Sequence, residues 1–325
     1  MPVSTLINHE GVVPQVCGPC PFLQSAIAKV ARNVKILICN DGSEQAERAM
    51  RLGTAIAAGC KAEVTLLGIK EAAGDSETLL DSLKRGQDLL EDKKIQAELI
   101  TKSGKPIEEI IKRTHETTYD LVIIGAVRKS ARGSFWISSK TYKLIKEIRP
   151  PVLSVAGKSP TINRILICSG GKSYIDNTVQ LTAEIARGVG GTVTLLHVTL
   201  ELPAILAHLP RMEQDTEFLL RSQSELGQNL RREKGTLENL GVTTEVKLRH
   251  GPVLGEILRE IRQGAYDLVV TGSAPSRSLR TYVLGDISRE IVNRAACAVL
   301  VGRSQQIPAA PHFPFKWFSR TPRPT

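Results

Sequence analysis

Short apolar runs alternate along the chain with longer amphipathic stretches. KILIC (35–39), VTLLGI (64–69) and LVIIG (121–125) are rich in branched aliphatic residues and bounded by Gly or Asp. Consecutive apolar positions over so short a length suit strands covered on both faces, as in a parallel sheet. Between them, SEQAERAMRLGTAIAAG (43–59) has the spacing of an amphipathic helix, with Ser43 placed as its N-cap and Gly59 as its stop. KPIEEIIKRTHE (105–116) reads as another helix. Strand, helix and strand in repetition predict right-handed crossovers and an open, doubly wound α/β sheet.

The same pattern occurs twice. KILICND (35–41) returns as RILICSG (164–170), and VTLLGI (64–69) as VTLLHV (193–198), both at an offset of 129. YDLVIIG (119–125) returns as YDLVVTG (266–272), and PPVLSVAG (150–157) aligns with the segment that begins CAVLVG (297–302), at an offset of 147. The change of 18 marks an insertion in the second copy, roughly residues 201–218, between its second and third strands. Matched blocks in one order over so long a period mean two homologous domains rather than a solenoid. The expected organisation is an N-terminal extension (1–33), domains at 34–157 and 162–303 joined by a short turn-rich link, and a tail (304–325).

Composition adds bounds. The chain has 325 residues, 42% of them apolar and 23% charged, which excludes a disordered or collagenous chain and a disulfide scaffold. A net charge of +10 favours anionic partners without naming one. Six cysteines suit a reduced cytoplasmic protein. The first residues lack the basic start and apolar run of an export signal, and no stretch approaches the length of a membrane span.

The details resemble the universal stress protein family in a tandem form, across nearly all of 34–303. Ile38-Cys39-Asn40-Asp41-Gly42-Ser43-Glu44 resembles the family's first strand end. Gly104 and Gly251 match its turn before the third helix, and Asp120–Gly125 and Asp267–Gly272 match its fourth strand. The resemblance implies two Rossmann-like domains, each a five-stranded parallel sheet in the order 3-2-1-4-5. Last strands of the family commonly pair across a dimer. Here PVLSV (151–155) and AVLVG (298–302) are placed to pair within one chain as a pseudo-dimer, with a homodimer left open.

ATP-binding relatives carry G-x2-G-x9-G-[ST] after the fourth strand. Glycines let backbone N–H groups approach phosphate, and the last pair opens a helix whose N-terminus favours anions. An Asp after the first strand serves the adenine side. In the first copy Asp41, Gly42 and Gly125 are present, but Arg128 and Ser138-Ser139 replace the later glycines. In the second copy Gly272 and Gly285 are present, while Pro275, Asp286 and Gly170 depart from the pattern. Proline offers no N–H. An Asp286 carboxylate about 4 Å from phosphate costs up to about 4 kcal/mol at an effective dielectric near 20, and a lost adenine-side carboxylate at most ~1.5–3 kcal/mol. The first copy compensates with charge: residues 126–149 carry Arg128, Lys129, Arg132, Lys140, Lys143, Lys146 and Arg149 against Glu147 alone, where guanidinium forks suit phosphate oxygens. The alternative is that those charges form a solvated face of the last helix. Ser138 is placed as the N-cap of that helix.

Other signals are weaker. Cys17-Gly18-Pro19-Cys20 has the letters of a redox motif but no room for the framework such motifs sit in, and one pair supplies only two of zinc's usual four ligands. Cys39 and Cys168 hold equivalent places inside first strands and read as buried fillers. The tail gathers Phe313, Phe315, Trp317 and Phe318 with Lys316, Arg320 and Arg323. It either folds back on the protein or anchors it to a protein partner or an anionic membrane surface. No metal spacing, catalytic triad or basic–aromatic platform for nucleic acid is visible within the domains. The expectation is a non-catalytic, cytoplasmic stress-response protein with weak or atypical ATP, other nucleotide or small-anion binding, centred on domain 1. The alternatives are an interaction scaffold whose ATP sites have decayed and, more distantly, a redox role for Cys17 and Cys20.

Overall fold

A computed structural model describes residues 34–70, 76–126, 128–131, 134–137, 139–157, 161–172, 175–199, 216–275, 282–283 and 285–304. The Cys17–Cys20 motif, most of the insertion and the aromatic tail lie outside these residues. Among those described, no helix is long and apolar enough to cross a membrane.

The first domain runs β1 (Lys35–Asn40), α1 (Glu44–Cys60), β2 (Glu63–Lys70), α2 (Ser76–Asp92), β3 (Ala97–Ser103), α3 (Pro106–Glu116), β4 (Leu121–Gly125), a hairpin of β5 (Arg128–Ala131) and β6 (Ser134–Ile137), α4 (Ser139–Glu147) and β7 (Val152–Val155). The second runs β8 (Arg164–Ser169), α5 (Asp176–Val189), β9 (Thr192–Thr199), α6 (Thr216–Arg221), α7 (Glu225–Glu238), β10 (Thr244–His250), α8 (Val253–Gly264), β11 (Leu268–Pro275), β12 (Tyr282–Val283), α9 (Asp286–Arg294) and β13 (Ala298–Arg303).

The strands form one 11-stranded sheet, β10-β9-β8-β11-β13-β7-β4-β1-β2-β3, with β12 paired only to β11. Each half has the order 3-2-1-4-5 in its own count, as the resemblance implied. The last strands pair antiparallel, Leu153 opposite Leu300 with Val152 and Ser154 opposite Val301 and Val299. Leu153 and Leu300 are equivalent residues of the two copies, so this pair marks a pseudo-twofold axis. One apolar layer covers each face of the sheet, and each layer runs through both domains.

Equivalent residues make equivalent anchors. The Asp120 carboxylate accepts the Lys35 N–H at 2.9 Å, and the Asp267 carboxylate accepts those of Asn163 and Arg164 at 2.9 and 3.1 Å. Gly104 and Gly251, at φ +150° and +135°, turn the chain from β3 and β10 into the next helix. Backbone there lies outside the range that side chains adopt readily.

Ser43 caps α1 as its position implied: its Oγ accepts the Ala46 N–H at 3.2 Å. Gly59 does not end the helix. The helix continues through Cys60 and closes on Lys61 in a left-handed turn, φ 51°. Gly59 instead touches Gly188 of α5, its own equivalent across the axis: a Cβ on Gly59 would lie 2.3 Å from the Gly188 carbonyl. The absent side chain permits helix contact, not helix termination. Beside it the Cys60 thiol points to the Glu184 carbonyl at 3.6 Å.

Candidate functional site

The carboxyl edge of the sheet collects the residues singled out in domain 1. β1 ends in a tight turn in which the Asn40 side chain accepts the Gly42 N–H at 2.8 Å and the Asp41 carboxylate that of Ser43 at 3.0 Å. Gly42 takes φ +80°, which lets the chain reverse into α1. Asn40 is buried and donates to Ser82 Oγ at 2.9 Å, fixing the turn from below. Asp41 remains exposed at the edge.

β4 lies beside β1, and its last residue, Gly125, sits under the first turn of α1. A Cβ there would meet the Gln45 carbonyl carbon at 2.5 Å and the Ala46 nitrogen at 2.6 Å. Packing therefore requires this glycine whether or not a phosphate is bound. Asp41 and Gly125 are thus brought together at the ends of neighbouring strands.

Beyond Gly125 the chain departs from an open phosphate loop. Arg128 opens β5 and stands opposite Ile137, with Lys129 opposite Trp136 and Ser130 opposite Phe135. Ladder pairing commits backbone groups of this segment to each other. Ser138, expected as the cap of the following helix, lies outside the described residues, and Ser139 is the first residue of α4. The second copy makes a parallel choice. β11 extends through Pro275, and Ala274 and Pro275 pair with Val283 and Tyr282. The two hairpins are exchanged across the axis: β6 lies against α9 and β12 against α4. Arg289 of α9 adds a cation–π contact to Tyr142 of α4, 5.4 Å from the ring centre.

In domain 2, Gly272 and the start of α9 meet. Ser288 Oγ donates to the Gly272 carbonyl at 2.7 Å and lies 2.8 Å from Thr271 Oγ1. Gly285 precedes α9 with no side-chain cap and open space around it. At this edge domain 2 departs from the glycine-rich pattern. Gly170 stands where Asp41 offers a carboxylate, Pro275 lacks an N–H, and Asp286 puts an acid into the first turn of α9.

The sequence reading missed a polar cluster at the same edge of domain 2. His197 Nδ1 lies 2.9 Å from the Ser169 carbonyl, and Asn229 donates to the Gly171 carbonyl at 2.8 Å. Arg232 grips Asp176 through two bonds of 3.1 Å. Glu233 is buried, and among the described residues neither carboxylate oxygen has a well-formed hydrogen bond. Aligning the copies would have exposed the cluster: His197 replaces Gly68, Asn229 replaces Ser82 and Glu233 replaces Gly86. Burial lowers the His197 pKa, and its bond to the Ser169 carbonyl opposes that shift.

Among the described residues no group of His, Cys, Asp and Glu is arranged to hold a metal ion. Burial pushes the Cys168 thiol up to about 12 and raises Cys39 as well, so neither is a thiolate at neutral pH.

Comparison with known proteins agrees with this geometry. The model of the "Universal stress protein family" matches residues 33–156 and again 161–303. No curated protein matches. A universal stress protein from Archaeoglobus fulgidus DSM 4304 superposes with a TM-score of 0.59 at 17% identity, covering 84% of this chain and 99% of that one. A functionally unknown protein from Pseudomonas aeruginosa PAO1 does so with 0.61 at 15% identity, covering 84% and 94%. At such identity these structures speak for the fold alone.

Proposed function

The chain belongs to the universal stress protein family, and on that premise we propose a non-catalytic stress-response protein that holds a nucleotide or similar small anion weakly, in domain 1. One observation carries the choice of domain. Asp41 presents an exposed carboxylate beside Gly125, whereas the equivalent edge of domain 2 has Gly170 and an acid at the start of α9. Asp41 and Gly42 would orient the base side of the ligand, and Arg128 would supply the charge that the missing glycines no longer focus on phosphate. Ser138 and Ser139 complete the set at the start of α4. Gly272 and Gly285 remain as the eroded counterpart in domain 2. The role is binding and signalling, with no reaction assigned.

Titration of the full chain with ATP, followed calorimetrically, tests this. Arg128→Ala is expected to weaken ATP binding about tenfold, the loss of one charged hydrogen-bonding group. Equal affinity would remove Arg128 from the site. Denaturing the freshly purified protein and analysing the released small molecules by mass spectrometry identifies the natural ligand.

The exchanged hairpins favour a second reading, that of an interaction scaffold. In both copies the segment that cradles phosphate in ATP-binding relatives is ladder-paired and laid against the other domain. Absence of ATP binding at millimolar concentration would select the scaffold.

A further inference from the structure

A cavity of about 490 Å³ opens where the end of β7 meets the start of β13 and the last turns of α8 and α9. None of the residues assigned above to nucleotide binding lines it. Val155, Ala156, Leu258, Ile261 and Ala298 give it an apolar floor, and Arg262 and Arg294 stand exposed in its wall.

The pseudo-twofold axis supplies a reference for this space. At an offset of 147, Ala156 corresponds to Arg303. Arg303 is 5% exposed, and its side chain reaches Pro150, the counterpart of the cavity-lining Cys297. Its Nε donates to the Pro150 carbonyl at 3.1 Å, its Nη1 to Ser273 Oγ at 2.9 Å and its Nη2 to the Ile145 carbonyl. Alanine cannot reach as far, so the cavity beside β13 is left open.

The wall has changed as well. Arg262 corresponds to His115, and Arg294 to Glu147. Arg149 in turn corresponds to Ala296, so the cavity keeps two guanidinium groups, now at Arg262 and Arg294, and has lost the acid of Glu147. The Arg262 side chain makes no ion pair or hydrogen bond among the described residues. Arg294 Nε meets Glu290 at 2.7 Å. Asp267 also faces the cavity, but one of its carboxylate oxygens is held by two backbone N–H groups.

We propose that this cavity binds a small amphipathic anion. A carboxylate meets Arg262 and Arg294, and a hydrocarbon body covers Val155, Leu258, Ile261 and Ala298. The guanidinium pair supplies selectivity for the anion, and the floor excludes one without an apolar body.

Calorimetric titration of the full chain with decanoate tests the proposal, with decanol as the neutral body and inorganic phosphate as the bare anion. Decanoate is expected to bind at one site, with decanol and phosphate at least about tenfold weaker. Arg262→Ala combined with Arg294→Ala removes only exposed side chains and should weaken decanoate at least about tenfold. Ala156→Arg, which copies Arg303 from the equivalent position, should abolish binding. No decanoate binding at millimolar concentration would overturn the proposal. So would equal affinity in the double variant, or decanol matching decanoate.

Discussion

Gly59→Ala is expected to destabilise the folded chain by about 2–4 kcal/mol, and Gly188→Ala by a similar amount. In either helix an isolated Gly→Ala change would stabilise by up to about 1 kcal/mol, because alanine is the better helix former. Here the contact decides the sign. A Cβ on Gly59 meets the Gly188 carbonyl carbon and oxygen at 2.3 Å, and one on Gly188 meets the Gly59 carbonyl carbon at 2.6 Å. Those neighbours are backbone, which cannot rotate away as a side chain does. Relief requires α1 and α5 to separate, and the apolar layer beneath both helices is shared by the two domains. Gly235→Ala in α7 is the control, since nothing lies within 4 Å of a Cβ there. It should be neutral or stabilising. Urea unfolding of the three variants makes the comparison. Gly59→Ala as stable as Gly235→Ala would mean that the helices do not touch at the axis.

The same crossing shows how much of the fold was legible. The buried strands announced themselves through runs such as LVIIG, and the offsets of 129 and 147 paired the copies residue by residue. Pairing of the last strands was implied by the family resemblance, in which last strands meet across a dimer, and not by their apolar sequence alone. Gly59 was misread because a glycine at the end of an amphipathic stretch has two physical uses, a left-handed cap or a close contact. Only the partner helix distinguishes them. The hairpins were hidden for a related reason. Residues 128–137 are basic and lie between the family's glycine positions, so spacing suggested a loop, while the pairing of Arg128 with Ile137 is made against structure far away in sequence. At the site, Asp41 and Gly125 were legible through the family resemblance, which fixes an Asp and a Gly at the ends of these two strands. Gly125 proves to be demanded by α1 as well, so its presence alone is weak testimony for phosphate.

Glu233 should make the protein less stable as pH rises from 5 to 8. Its carboxyl is buried in domain 2 near the Ser169 hydroxyl, with no well-formed hydrogen bond to either oxygen among the described residues. The equivalent position in domain 1 is Gly86, packed against Met50, whose own equivalent is the shorter Val179. Domain 2 has therefore filled an apolar space with an acid. Burial pushes the Glu233 carboxyl from 4.5 up to about 7, against the lowering effect of the nearby Ser169 hydroxyl; Asp176 raises it and Arg232 lowers it. Between these values the folded protein holds a proton that the unfolded chain has released, so unfolding free energy falls as pH rises. Above about pH 7 the deficit is complete, on the order of 3 kcal/mol for a shift of this size. His197 works in the opposite sense. Burial lowers its pKa from 6.5, so it destabilises the fold below that value and not above it. Of these two groups only Glu233 lowers stability above pH 6.5. Glu233→Gln keeps the size and removes the charge, and should raise stability at pH 8 by about 1–3 kcal/mol while flattening the slope between pH 5 and 7. Glu225→Gln, on the exposed first turn of the same helix, is the control for removing a carboxylate. Urea midpoints across this range decide the matter, and a Glu233→Gln protein less stable than the parent at pH 8 would show that the carboxylate has a stabilising partner when ionised.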